Sequence, residues 1–146
     1  MVAVGGNFSK LVDSWIKKTK LSVDLATRGV WKELYGEILA RSPVKTERFR
    51  DSNRIGVGRI DKTFEPPRSV IVGRAPFPGG PKLAEGEAIL NKAPLNATIY
   101  MTNNLPYAKR LEHEGYSPQA PGGIYRAAAA SVQGRIGQII RRYKRS

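Results

Sequence analysis

The chain has 146 residues, no cysteine, a single histidine and a formal net charge of +13. This length suits one domain with one modest core. The missing cysteines exclude a disulfide framework and a thiolate metal site, and no apolar run reaches the roughly 18 residues that a membrane-crossing helix needs. The opening MVAVGGNFSK lacks the basic-then-apolar order of a secretory signal, so assembly in a cytoplasm is expected. The 25 Lys and Arg are unevenly placed: residues 41–74 carry 9 against 4 acids, and residues 124–146 carry 6 against none. A field of that sign favours a polyanion or an acidic protein surface as partner.

In chain order, residues 7–18 (NFSKLVDSWIKK) predict a helix, with Phe8, Leu11, Val12, Trp15 and Ile16 at 3.6-residue spacing and lysines on the other side. Residues 22–41 predict a longer one. There Ala26, Val30, Leu34 and Ile38 recur every fourth position, while Gly29 and Gly36 weaken the helix unless they serve close packing. Ser42-Pro43 ends it, because the residue before a proline resists helical geometry. Strands are predicted over 53–60 and 68–74, from Ile55, Val57 and the run Val70-Ile71-Val72, joined as an antiparallel hairpin through Pro66-Pro67.

Residues 74–95 form a Pro/Gly-rich connection with a short helix at 83–91. Long irregular connections inside small domains are usually functional or disordered: one reading is a loop that reaches a neighbouring subunit with Phe77 as its anchor, the other a floppy insertion. Residues 96–102 alternate as a third strand. Residues 124–143 form the clearest helix, with Ile124, Ala128, Val132, Ile136, Ile139, Ile140 and Tyr143 in one stripe. Gly134 and Gly137 soften it or allow close approach, and the closing cations complement its C-terminal end. The fold class read from this pattern is α+β in a single domain, residues 1–146. It has N-terminal helices, a small, mainly antiparallel sheet of three to four strands, and a C-terminal helix packed on the sheet.

The densest punctuation is NNLPYAKRLEHEGYSPQAPGGIYR, residues 103–126. Pro106 suits the first turn of a short helix. Tyr107 and Leu111 then share a face, Gly115 can end that turn, and Pro118 with Pro121-Gly122-Gly123 makes a stiff second corner. This stretch resembles the C-terminal signature of the tail-completion, or tail-terminator, proteins of long-tailed bacteriophages. The matching residues are Asn104, Pro106-Tyr107-Ala108, Leu111-Glu112, Gly115, Ser117, Gln119-Ala120-Pro121 and Gly123. A second match, in the family's order, is Ser42, Pro43, Val44, Thr46, Phe49, Arg50 and Ser52, with Glu47 where the family carries Gly.

The resemblance implies the same α+β fold and a structural virion protein of the neck. Such a protein works as a ring, commonly sixfold, that caps the tail tube and docks the head-side connector, with genomic DNA passing through the lumen. The expected ring-interface residues are Phe77, Tyr107, Glu112, Gln119, Pro121 and Arg126. Glu112 and Arg126 are placed to pair, within a subunit or between subunits, and to fix how the corner meets the last helix. The basic residues Arg54, Arg59, Arg68, Arg141, Arg142, Lys144 and Arg145 are expected to face DNA or an acidic neighbouring ring.

No enzymatic motif competes with this reading. His113 stands alone between Glu112 and Glu114, no Ser is set as Gly-x-Ser-x-Gly, and Gly56-Val57-Gly58 lacks the remainder of a nucleotide-binding motif. Neither cofactor nor catalysis is expected. The alternatives are a sequence-nonspecific DNA-binding protein, suggested by the charge, and another neck component such as a stopper or adaptor.

Overall fold

The element order is α1 (Gly6–Thr19), α2 (Val23–Arg41), α3 (Arg48–Asp51), β1 (Asn53–Val57), α4 (Pro81–Lys92), β2 (Ile99–Asn103), α5 (Ala108–His113), α6 (Tyr125–Gly134) and α7 (Ile136–Lys144). The structure, a computed structural model, describes residues 6–19, 23–42, 48–67, 81–113 and 123–144. Among these no helix is long and apolar enough to cross a membrane. The fold is mixed helix and strand, and mostly helical.

The stripe Ala26, Val30, Leu34 and Ile38 is fully buried, as the spacing predicts, and Tyr35 and Leu39 are buried beside it. A helix apolar on more than one side sits inside the molecule, and α2 is packed by α1, α4, α6 and α7. On α1, Phe8, Val12 and Ile16 face inward while Lys10, Lys17 and Lys18 are exposed. The C-terminal helices lie chiefly on α2 and not across the sheet, contrary to expectation. The broad apolar surface of α2 is the larger partner.

The helix predicted over 124–143 is two helices. Arg135 leaves helical geometry (φ −130°, ψ 23°) directly after Gly134, a weak helix former. Its guanidinium reaches Glu37 at 2.6 Å and Glu33 at 3.6 Å on α2. Ile124, Ala128, Val132, Ile136, Ile139 and Ile140 all stay buried across the break. Gly137 lets the Trp15 ring of α1 close on α7, and Gly29 does the same for Tyr143 against α2.

β1 and β2 pair antiparallel, from Asn53 opposite Asn103 to Val57 opposite Ile99. This is a two-stranded sheet among the described residues, where three or four strands were expected. The predicted strand 68–74, and with it the predicted hairpin, lies outside the described residues. β1 stops at Val57, short of the predicted end at Ile60, where Gly58 takes φ +77°, although its N–H still donates to the Thr98 carbonyl at 2.8 Å. The following segment is tied back to β2: the Asp61 carbonyl accepts from Thr102 Oγ1 at 3.2 Å and Asn104 Nδ2 at 2.9 Å.

The Pro/Gly-rich connection holds a full helix, α4, slightly longer than the predicted 83–91. Gly86 on α4 lies against the buried Tyr35 ring, and a Cβ there would stand 2.1 Å from the ring edge. Around Gly36 nothing lies within 4 Å of a Cβ, so this glycine serves no close contact. Gly86→Ala should therefore destabilise the protein by about 1–3 kcal/mol through overpacking. Gly36→Ala should stabilise it by up to about 1 kcal/mol through helix propensity. Urea denaturation midpoints of the two variants, moving in opposite directions, check both.

Candidate functional site: the corner between α5 and α6

The first turn of a helix leaves backbone N–H groups without intrahelical partners. Ile124, which precedes α6, offers no side-chain oxygen to meet them, and no side-chain cap bond is made from that position. Glu112, twelve residues upstream on α5, supplies it. Its Oε2 accepts from the N–H groups of Ile124 (2.6 Å) and Tyr125 (2.8 Å), and its Oε1 from that of Arg126 (2.7 Å). Glu112 is 1% exposed. A buried carboxylate is tolerated only when donors surround it, and a helix N-terminus adds its positive dipole end. The Arg126 guanidinium lies at 3.4 Å from Oε1 and also donates to the Glu112 carbonyl. Glu112 and Arg126 thus pair within one subunit, as one of the two expected arrangements had it.

Gly123 makes the approach possible. It carries φ +87°, and a Cβ on it would stand 2.7 Å from the Glu112 carbonyl oxygen. Both the left-handed backbone and the closeness require glycine at this position.

A second buried network lies at the start of β1. Asn53 Nδ2 donates to Ser42 Oγ (3.0 Å) and to the Arg50 carbonyl (2.9 Å). Its Oδ1 accepts from Asn103 Nδ2 (3.2 Å) and from the Tyr125 hydroxyl (2.7 Å). Both donors and both acceptor positions of this amide are therefore used. Asn103 Nδ2 also donates to the Phe49 carbonyl at 2.9 Å, and its Oδ1 accepts from the Leu105 N–H at 3.2 Å. Ser42 closes the circuit by donating to the Ile38 carbonyl at 2.7 Å. Burial holds the Tyr125 hydroxyl proton well above its ordinary range, with Tyr35 and Glu112 adding to the effect.

These contacts gather the ends of α2, α3, both strands and α6 at one place. The two networks are joined through Tyr125, whose N–H goes to Glu112 and whose hydroxyl goes to Asn53, the partner of Ser42 and of the Arg50 carbonyl.

The other expected interface residues divide. Tyr107 is half-buried, its ring 6.3 Å from that of Phe49. The Arg48 guanidinium sits 5.9 Å from the Tyr107 ring and 6.0 Å from that of Phe64, which is exposed. Burial raises the Tyr107 pKa. The Arg126 side chain is 56% exposed beyond its contacts with Glu112. Phe77, Gln119 and Pro121 lie outside the described residues.

The basic residues also divide. Arg59 and Arg141 are exposed. Arg142 is exposed and pairs with Glu33 of α2. Arg54 is turned inward, donating to Thr63 Oγ1 at 2.9 Å and to the Asp51 carbonyl, with Glu65 at 3.6 Å. Arg68, Arg145 and the Lys144 side chain lie outside the described residues.

Sequence reading missed Asn53, Asn103 and Tyr125. The available signal was composition: Asn is depleted in strands, yet one opens β1 and one closes β2.

Glu112→Ala should cost about 2–4 kcal/mol, because it strips three N–H groups of their acceptor, two of them buried. Glu112→Gln, which keeps one carbonyl oxygen, should cost about half as much. Urea denaturation followed by circular dichroism checks the order.

Comparison of the chain with family models, with curated proteins and with solved structures gives no match.

Proposed function

We propose that this protein is a structural subunit of a bacteriophage neck, a tail terminator whose ring caps the tail tube and receives the head-side connector. The observation that carries the reading is the convergence of residues 42–52 and residues 104–126, the two stretches that resemble tail-completion proteins, on one buried hydrogen-bond locus. Stretches about 60 residues apart in sequence are both tied to Tyr125 at the start of α6, one through Asn53 and one through Glu112.

Such rigidity suits a ring. A ring closes by repeating one head-to-tail contact, and small errors in subunit shape accumulate around it. A corner fixed by a capped helix and a saturated amide is a means of keeping that shape constant. The interface side of the corner belongs to Arg126 and Tyr107, which remain accessible beyond their internal contacts. In this reading the partners are further copies of the chain, commonly six in a ring, the tube protein and the connector. Genomic DNA passes through the lumen, with Arg59 and Arg141 facing it or an acidic neighbouring ring. The protein then belongs to the virion.

Electron microscopy of the purified protein, alone and mixed with tail tubes, tests this. Rings seated at one end of each tube are expected. Dispersed monomers that ignore tubes and instead coat duplex DNA, with affinity falling steeply as salt rises, would replace this reading with the nucleic-acid one.

A further inference from the structure

Phe64, in the segment that follows β1, is 42% exposed. A lone apolar side chain at the surface is ordinary, but this one is held from both sides. Before it, the Asp61 carbonyl accepts from Thr102 Oγ1 and Asn104 Nδ2, and an Asp61 carboxylate oxygen takes the N–H (2.9 Å) and the hydroxyl (2.6 Å) of Thr63. After it, the Glu65 N–H donates to Ser52 Oγ at 2.9 Å, and the Glu65 carbonyl accepts from Arg48 Nε at 2.9 Å. A segment pinned on either side of an exposed ring loses little freedom when that ring is covered, which favours binding.

The ring also has company. The Arg48 guanidinium lies 6.0 Å from the Phe64 ring and 5.9 Å from that of Tyr107. Tyr107 in turn lies 6.3 Å from the ring of Phe49, which is buried. The row thus runs from the core to the surface: Phe49, Tyr107, Arg48, Phe64. Arginine and aromatic side chains are enriched where proteins meet one another, and Tyr and Arg are among those whose truncation costs most affinity.

Charge narrows the choice of partner. The acids of this segment are engaged inside the subunit, Asp61 with Thr63 and Glu65 with Arg54 at 3.6 Å. Lys62, two residues before Phe64, is exposed, as are Lys109 and Arg110 just after Tyr107. A second copy of so basic a chain, with 25 cations against 12 acids, brings mostly like charge to this place. The phosphates of duplex DNA would meet the cations but leave the Phe64 ring without a contact. An acidic protein segment with an apolar side chain among its carboxylates uses both. We propose that the surface formed by Phe64, Arg48 and Tyr107, flanked by Lys62 and Lys109, is the docking site for such a segment of a different, acidic protein. The inference goes beyond the ring reading, because it names a partner other than a further copy and can fail while rings still form.

The full chain is titrated with a synthetic peptide of alternating glutamate and leucine while amide chemical shifts are followed. Poly-glutamate and oligothymidylate are the comparison probes. Wild type, Phe64→Ala and the double variant Lys62→Glu/Lys109→Glu are compared once melting curves show that each is folded. In the wild type the peptide should shift residues 62–66 and 107–110, and its affinity should fall by about tenfold or more in each variant. Poly-glutamate should bind more weakly than the peptide and be indifferent to Phe64→Ala. Peptide affinity unchanged by Phe64→Ala, or equal to that of poly-glutamate, would reduce the surface to its charge and overturn the proposal. Shifts that fall elsewhere, or none at all, would overturn it too. Oligothymidylate bound at these residues more tightly than the peptide would replace it with a single-stranded nucleic acid stacking on Phe64.

Discussion

Asn53 and Asn103 face each other across the two strands, and the rest of the fold is arranged so that neither amide lacks a partner. Both are out of contact with water, at 1% and 0% exposure. A buried amide with an unmet donor or acceptor costs on the order of 1–3 kcal/mol per group. The circuit therefore holds only if Ser42, Phe49, Arg50, Leu105 and Tyr125 all keep their positions. Those residues belong to four junctions, Phe49 and Arg50 sharing α3. The end of α2, the short α3, the exit from β2 and the start of α6 are fixed relative to one another by one pair of side chains. Glu112 extends the same logic to the helix start next to Tyr125, with a carboxylate in place of a capping hydroxyl.

Around this locus α2 supplies most of the apolar packing. α2 accepts neighbours on several sides, and the interruption at Arg135 leaves the stripe buried from Ile124 to Ile140, with Tyr143 partly buried. Charge follows the same division of labour. Glu33 and Glu37 of α2 take up Arg135 and Arg142, so part of the C-terminal cationic excess is answered inside the subunit. Of the seven basic residues expected to face DNA or an acidic ring, Arg59, Arg141 and Arg142 are exposed among the described residues.

Much of this was legible in the sequence, for a physical reason. The four-residue recurrence of Ala26, Val30, Leu34 and Ile38 and the stripe from Ile124 to Ile140 each reflect burial of one helix face, which periodicity reports directly. Pro106 just ahead of α5 and Gly123 at φ +87° were legible because proline and glycine mark restricted backbone, while residues 114–122 of that stretch lie outside the described residues. Glu112 was marked as a partner of Arg126, but its greater task, accepting three backbone N–H groups, left no trace in residue spacing because a backbone donor has no sequence. The Asn53–Asn103 pair was hidden likewise. Strand register decides which residues face each other, and register was not readable from two short strands separated by some forty residues. The break at Arg135 was half visible: Gly134 advertised weakness, while the acidic partners on α2 came from far away in the chain.

The tail-terminator reading depends on that locus being rigid, since a ring needs identical subunits and both resembling stretches converge there. Native-state hydrogen exchange of the Leu105, Ile124 and Tyr125 amides, each held by a side-chain oxygen of Asn103 or Glu112, measures this most directly. Exchange as slow as that of the α2 core amides, with the same denaturant dependence and so through global unfolding alone, is the predicted result. Fast exchange at these three amides, insensitive to denaturant while α2 stays protected, would contradict it and reduce the corner to a locally fraying turn.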